Sequence, residues 1–161
     1  MIIEERVERS QYVKLITWIV SFIILMAGIV FPVLILWVNQ DMMSKVIGAS
    51  VLCLIFFTLI FTVAYQPRKL ILSETHIIME RILGQVYISY SDITDISLYH
   101  RENVAEIRIF GIGGLGGYIG KFYNSKIGFY TAYVGDYSQA FLIKINNREK
   151  YVMSCRHAEK I

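Results

Sequence analysis

Seven of the chain's eleven glycines fall between residues 111 and 128, interleaved with Lys121, Lys126 and the rings of Tyr118, Phe122, Tyr123 and Phe129. Backbone N–H groups in glycine turns can form an anion-binding concavity, to which neighbouring lysines add charge. Gly113, Gly114, Gly117, Lys121 and Lys126, with Arg101 from the preceding polar loop, are therefore candidate ligands for an anion such as a lipid head group. The alternative is architectural: a glycine-rich hairpin or bulge whose aromatic rings fill a core or rest on a membrane surface. Two nucleotide readings fail. Residues 111–116 fit G-x-G-x-x-G, but the helix that must follow would contain Gly117, Gly120 and Asn124, and each interior glycine costs about 1 kcal/mol against alanine. A P-loop fails because Phe122 follows Gly120-Lys121 where Ser or Thr is required.

Other chemistry is sparse. His76, His100 and His157 have no ligand spacing with Cys53 and Cys155, so no metal is expected, and the cysteines read as two structural thiols. Asp92 and Asp95 read as turn and strand-edge residues, not as an acid/base pair. Without a nucleophile motif, neither an enzyme nor a bound cofactor is expected.

The elements that position these residues divide the chain in two. Residues 15–38 and 46–65 are apolar runs with no Asp, Glu, Lys or Arg. At ~1.5 Å per residue they reach about 36 Å and about 30 Å, enough to cross a hydrocarbon core of about 30 Å. The first run is too long for a signal-peptide core of about 7 to 15 residues and lacks a small-residue cleavage site, so a retained transmembrane hairpin is expected. Arg6, Arg9, Lys14, Arg68 and Lys69 flank it against Lys45 in the tip, which places both termini in the cytoplasm and the chain in the cell membrane. Trp18, Trp37 and Tyr65 sit where rings anchor at an interface, as Tyr118 and Phe122 would if the glycine segment met the bilayer. With no ionisable group inside either run, a channel or transporter working alone is not expected. Pro32 is expected to kink the first helix.

Residues 1–66 thus form the N-terminal segment and anchor, and 67–161 one small domain. All of the net charge of +3 lies in the second part, because four basic and four acidic residues cancel in the first 65. This mild excess gives no nucleic-acid signature. Short β-branched and aromatic runs at 69–73, 76–82, 85–89, 94–99, 105–110, 128–134, 140–145 and 150–154 read as strands joined by tight turns, including a hairpin around Asn146-Asn147. Alternation predicts that Ile107 and Ile109 share a buried face opposite Glu106 and Arg108, and that Phe141, Ile143 and Ile145 do the same on a later strand.

The order of two spans and a strand pair, followed by the segments at 88–96, 110–122 and 127–133, resembles bacterial membrane-anchored pleckstrin-homology-like (PH-like) proteins. The resemblance implies a seven-stranded, strongly bent antiparallel barrel plugged by a C-terminal helix, short here because about seven residues follow the last strand. The expected role is a binding module at the cytoplasmic face, meeting membrane lipids, a protein partner or a second copy in a homo-oligomer; neither nucleotide nor nucleic acid is expected. The competing expectation is an accessory or structural subunit of a membrane transport or secretion complex.

Overall fold

A computed structural model describes residues 3–38, 41–101, 105–146 and 148–161. Asn39 and Gln40 of the expected helix connection and Asn147 of the expected hairpin lie outside these residues. Helix α1 (Gln11–Val38) is capped by Ser10, whose Oγ accepts from the Val13 amide at 3.2 Å; α2 (Met42–Ala64) is capped by Asp41, which accepts from Ser44 at 3.0 Å. Both are long and apolar enough to cross a membrane. They pack closely at Gly28, where a β-carbon would lie 2.8 Å from Ile55 Cδ1. The α1 helix runs through Pro32.

Two sheets follow. The first has the order β1 (Ile3–Arg6), β2 (Pro67–Leu72), β3 (His76–Arg81), β4 (Gln85–Ser89), all antiparallel. The second contains β5 (Ile93–Tyr99), β6 (Glu106–Gly113), β7 (Tyr118–Asn124), β8 (Gly128–Val134), β9 (Ala140–Ile145) and β10 (Lys150–Ser154), in the order β5-β9-β10-β8-β7-β6. One pair departs from the antiparallel expectation. After β8 the chain crosses to β9, and β10 returns between them, so β10 lies parallel to β8.

Leu70, Ile77, Met79 and Ile88 of the first sheet meet Phe141, Ile143 and Met153 of the second in the main core. The other face of the second sheet encloses a separate cluster of Tyr99, Phe122, Tyr130, Val134, Leu142 and Val152. Its outer strands approach across that cluster: Asn124 Nδ2 donates to the Tyr99 hydroxyl at 2.8 Å, linking β7 to the end of β5. Central strand β9 is thus covered on both faces, with Phe141 and Leu142 both buried.

Two expectations change, and the short closing helix takes a definite form. Residues 3–6 pair with β2 in register Arg6↔Lys69, so a strand from before the helices completes the sheet that begins at Pro67. Ile107 and Ile109 are 58% and 55% exposed, because β6 is an outer strand that turns Glu106 inward instead. The closing helix is one 3-10 turn, Ala158–Lys160, with Ala158 in the main core. The N-terminal strand grips that turn: Arg156 N donates to Arg6 O at 3.1 Å, and Arg156 and His157 pair with Glu8 and Glu5.

Cys155, a free thiol three residues before this turn, is fully buried, and burial pushes its thiol up to about 11. Because the thiolate is the reactive form, Cys155 is expected to resist maleimide at neutral pH and to react only as pH approaches that value or the domain unfolds. Intact-mass analysis of the detergent-solubilised Cys53→Ser chain, which leaves Cys155 as its one thiol, checks this. Rapid native labelling at pH 7 would show the C-terminal turn to be unpacked.

Candidate functional site

The glycine-rich segment is the β6–β7 hairpin, and its turn is docked. Gly114 N donates to Gly117 O at 2.9 Å to close the turn, and Gly116 N donates to Thr17 Oγ1 of α1 at 2.7 Å. A side chain at Gly116, where φ is +75°, would overlap the amide of buried Gln66, itself held by Arg9 Nη2 at 2.5 Å. The Gly116 N–H that an anion would need is therefore satisfied by the helix base. At Gly114 a β-carbon would lie 3.6 Å from Ile16 of the same helix. Close by, Ser10 N donates to Gly135 O at 3.2 Å. These contacts seat the β domain against the start of α1 and the residues following α2.

Arg101 occupies a different environment. Its guanidinium lies 5.0 Å from the Tyr118 ring centroid and 4.6 Å from that of Tyr137, and pairs at 3.0 Å with Glu106 Oε1. The Glu106 side chain is only 3% exposed, whereas that of Arg101 is 40% exposed. Tyr137 and Tyr99 hydroxyls donate to Glu106 at 3.3 and 3.4 Å, and Tyr130 and Tyr137 hydroxyls lie 3.3 Å apart. Burial pushes the Tyr99, Tyr130 and Tyr137 hydroxyls above the ordinary tyrosine range, so they remain donors at physiological pH. The arrangement satisfies an internal carboxylate. The anion that Arg101 holds is Glu106, five residues along the chain.

Lys121 and Lys126 lie away from the glycine turn. Strand β7 starts beside that turn and is about 20 Å long at ~3.3 Å per residue. Lys121 lies midway and Lys126 beyond the far end, exposed. Lys121 lines a groove of about 360 Å³ with Thr131, Arg148, Glu149, Lys150 and Tyr151. Within it Lys150 Nζ donates to Ile127 O, and Glu149 accepts from Tyr151 at 2.9 Å. The sequence candidates therefore fall into three places: Gly113, Gly114 and Gly117 in the docked hairpin, Arg101 in the tyrosine cluster, and the lysines toward the far end.

The ring assignments divide similarly. Trp18 and Trp37 are 77% and 86% exposed on α1. Tyr65 is half-buried, packed on Phe61 and under Arg81. Phe122 is 3% exposed inside the curved sheet, and half-buried Tyr118 packs edge-on against Tyr137, so neither serves as a free interface ring. Glu106 escaped the sequence reading because alternation with Ile107 and Ile109 made it look solvent-facing. The Asp92 and Asp95 reading leads to no paired site either: Asp95 binds Lys144 at 2.8 Å on the surface.

Two packed sheets, entered from a pair of apolar helices and closed by a short C-terminal turn, define a module of the PH-like class. The chain belongs to the bacterial PH domain family, whose model, described as Bacterial PH domain, matches residues 68–161. No curated protein and no solved structure matches the chain. PH-like domains are generally non-catalytic binding modules.

Proposed function

We propose that this chain is a membrane-anchored binding module without enzymatic activity, its PH-like domain held at the cytoplasmic face to engage a protein partner. The carrying observation is the seating of the glycine turn on Thr17 and Gln66, which couples the domain to the base of the helix pair. Because the turn reaches Thr17, the lipid-embedded part of α1 begins near Trp18, and residues 18–38 still span about 31 Å. Five flanking cations against Lys45 orient both termini inward. The groove beside Lys121, Arg148 and Lys150 then faces the cytoplasm, where its cations suit an acidic segment of the partner.

Impermeant maleimide applied to intact cells should label Met42→Cys and leave Ser125→Cys unlabelled until the cells are opened, with the parent chain as baseline. A photo-crosslinker at Lys121 should trap a discrete protein adduct that one at Tyr87, on the other sheet, does not. Labelling of Ser125→Cys from outside would defeat the orientation, and absence of a Lys121-specific adduct would defeat the partner groove.

A further inference from the structure

The segments flanking the helices bring together four of the five basic residues that set the orientation. Pairing of β1 with β2 places Arg6 opposite Lys69, and Val7 N donates to Arg68 O at 3.0 Å. Arg6, Arg9, Arg68 and Lys69 consequently line one groove of about 500 Å³, together with Glu80. The acidic residues of the N-terminal segment mostly turn elsewhere. Glu5 and Glu8 pair with His157 and Arg156 of the C-terminal turn, and Glu4 binds Lys69 at 3.1 Å. Four cations thus face two nearby carboxylates, Glu4 and Glu80. Arg6 and Arg68 are exposed, and their guanidinium groups have no ion-pair or hydrogen-bond partner among the described residues.

The groove's position limits its ligand. Arg9 lies two residues before α1 and Pro67 three after α2, so the groove sits at the level where both helices would leave a bilayer. A second feature marks the same end of the domain. In the β3–β4 turn, Ile82 and Leu83 are 51% and 56% exposed, and Leu83 N donates to Ala64 O at the end of α2 at 2.8 Å. Apolar side chains at the helix exit suit the acyl boundary, and arginines just beyond it suit phosphate, which a planar guanidinium can bind through two parallel hydrogen bonds.

We infer that the groove lined by Arg6, Arg9, Arg68 and Lys69 binds the phosphate of an anionic phospholipid in the leaflet from which the helices emerge. This rests on the membrane-anchored reading, and it gives the domain a lipid contact separate from the Lys121 groove. Such a contact would hold the domain close to the membrane surface and fix which face it presents.

The test uses the full chain in mild detergent, titrated with phosphatidylglycerol or phosphatidylcholine and read by native mass spectrometry. Wild type should prefer phosphatidylglycerol, and the Arg6→Gln/Arg68→Gln variant should bind it roughly 30-fold more weakly. The Lys121→Gln/Lys126→Gln variant should match wild type. Since Arg6 is in a strand, wild type supplies a reading that needs no mutant: salt that shortens the screening length from about 10 Å to about 3 Å should abolish the preference. Equal binding of the two lipids by wild type, or undiminished phosphatidylglycerol binding by the folded arginine variant, overturns the inference. Displacement of the lipid by equimolar inorganic phosphate would assign the groove to a free anion and also overturn it. Recovery of the chain as a soluble protein without detergent would defeat anchoring itself, an outcome distinct from a detergent-bound chain with no lipid preference.

Discussion

Gly120→Val is expected to cost the β domain roughly 3 to 5 kcal/mol and to lower its melting temperature by about 15 °C or more. Gly120 has φ +123°, and a β-carbon there would overlap the Phe110 carbonyl and lie 2.8 Å from the Cα of Gly111, its cross-strand partner. Both obstacles are backbone atoms of β6, so no rotamer change relieves them. A β-branched residue also resists that φ. Against a total stability of about 5 to 15 kcal/mol, the loss removes much or all of the folded population. Gly114→Ala provides the comparison. Its φ of +99° is also unfavourable to a side chain, but the nearest contact would be an ordinary 3.6 Å to Ile16, so only about 1 kcal/mol is expected. Thermal melts followed by circular dichroism in detergent should rank wild type, Gly114→Ala and Gly120→Val in that order. Equal melting of Gly120→Val and wild type would mean that β6 and β7 are not paired through these glycines.

How far this architecture could be read from sequence depends on how local each cause is. Apolar runs of 20 residues or more carry their own explanation, and both helices were legible. Phe141 and Ile143 were recognised as core because β9 alternates on one face. The burial of Leu142 was not foreseen, because it depends on the second sheet curving back over the other face. Strand β1 was missed because Ile3–Arg6 carries two glutamates and an arginine; it is a strand only through its pairing with β2, more than sixty residues away. Strand β7 was hidden by the glycines that allow it to approach β6. In the candidate site, Arg101 reads in sequence as a cation awaiting an anion, but its inward-facing partner lies on a strand whose alternation points to the opposite sides. The basic groove beside the helix ends is hidden more completely, since its cations come from segments separated by the whole helix pair.

The Arg101–Glu106 pair yields the other large effect, which distinguishes an internal network from a ligand site. Arg101→Met should destabilise the domain by roughly 2 to 3 kcal/mol. This is below the 3 to 5 kcal/mol typical of breaking a fully buried pair, because the arginine side chain is 40% exposed and solvent already screens it. What remains is a 3% exposed carboxylate held by the Tyr99 and Tyr137 hydroxyls among the described residues, together with lost stacking on Tyr118 and Tyr137. Glu106→Gln should cost about 1 kcal/mol, since the guanidinium can reach water and the amide oxygen still accepts from a tyrosine. Combining Arg101→Met with Glu106→Gln should recover part of the arginine loss, giving a coupling energy of about 1 to 2 kcal/mol in a double-mutant cycle from denaturant melts. Had Arg101 served an external anion, Arg101→Met would leave stability nearly unchanged and the two substitutions would add. Additivity within about 0.5 kcal/mol would therefore return Arg101 to the ligand-binding candidates, whereas coupling identifies it as the counter-ion that allows a carboxylate to sit inside the curved sheet.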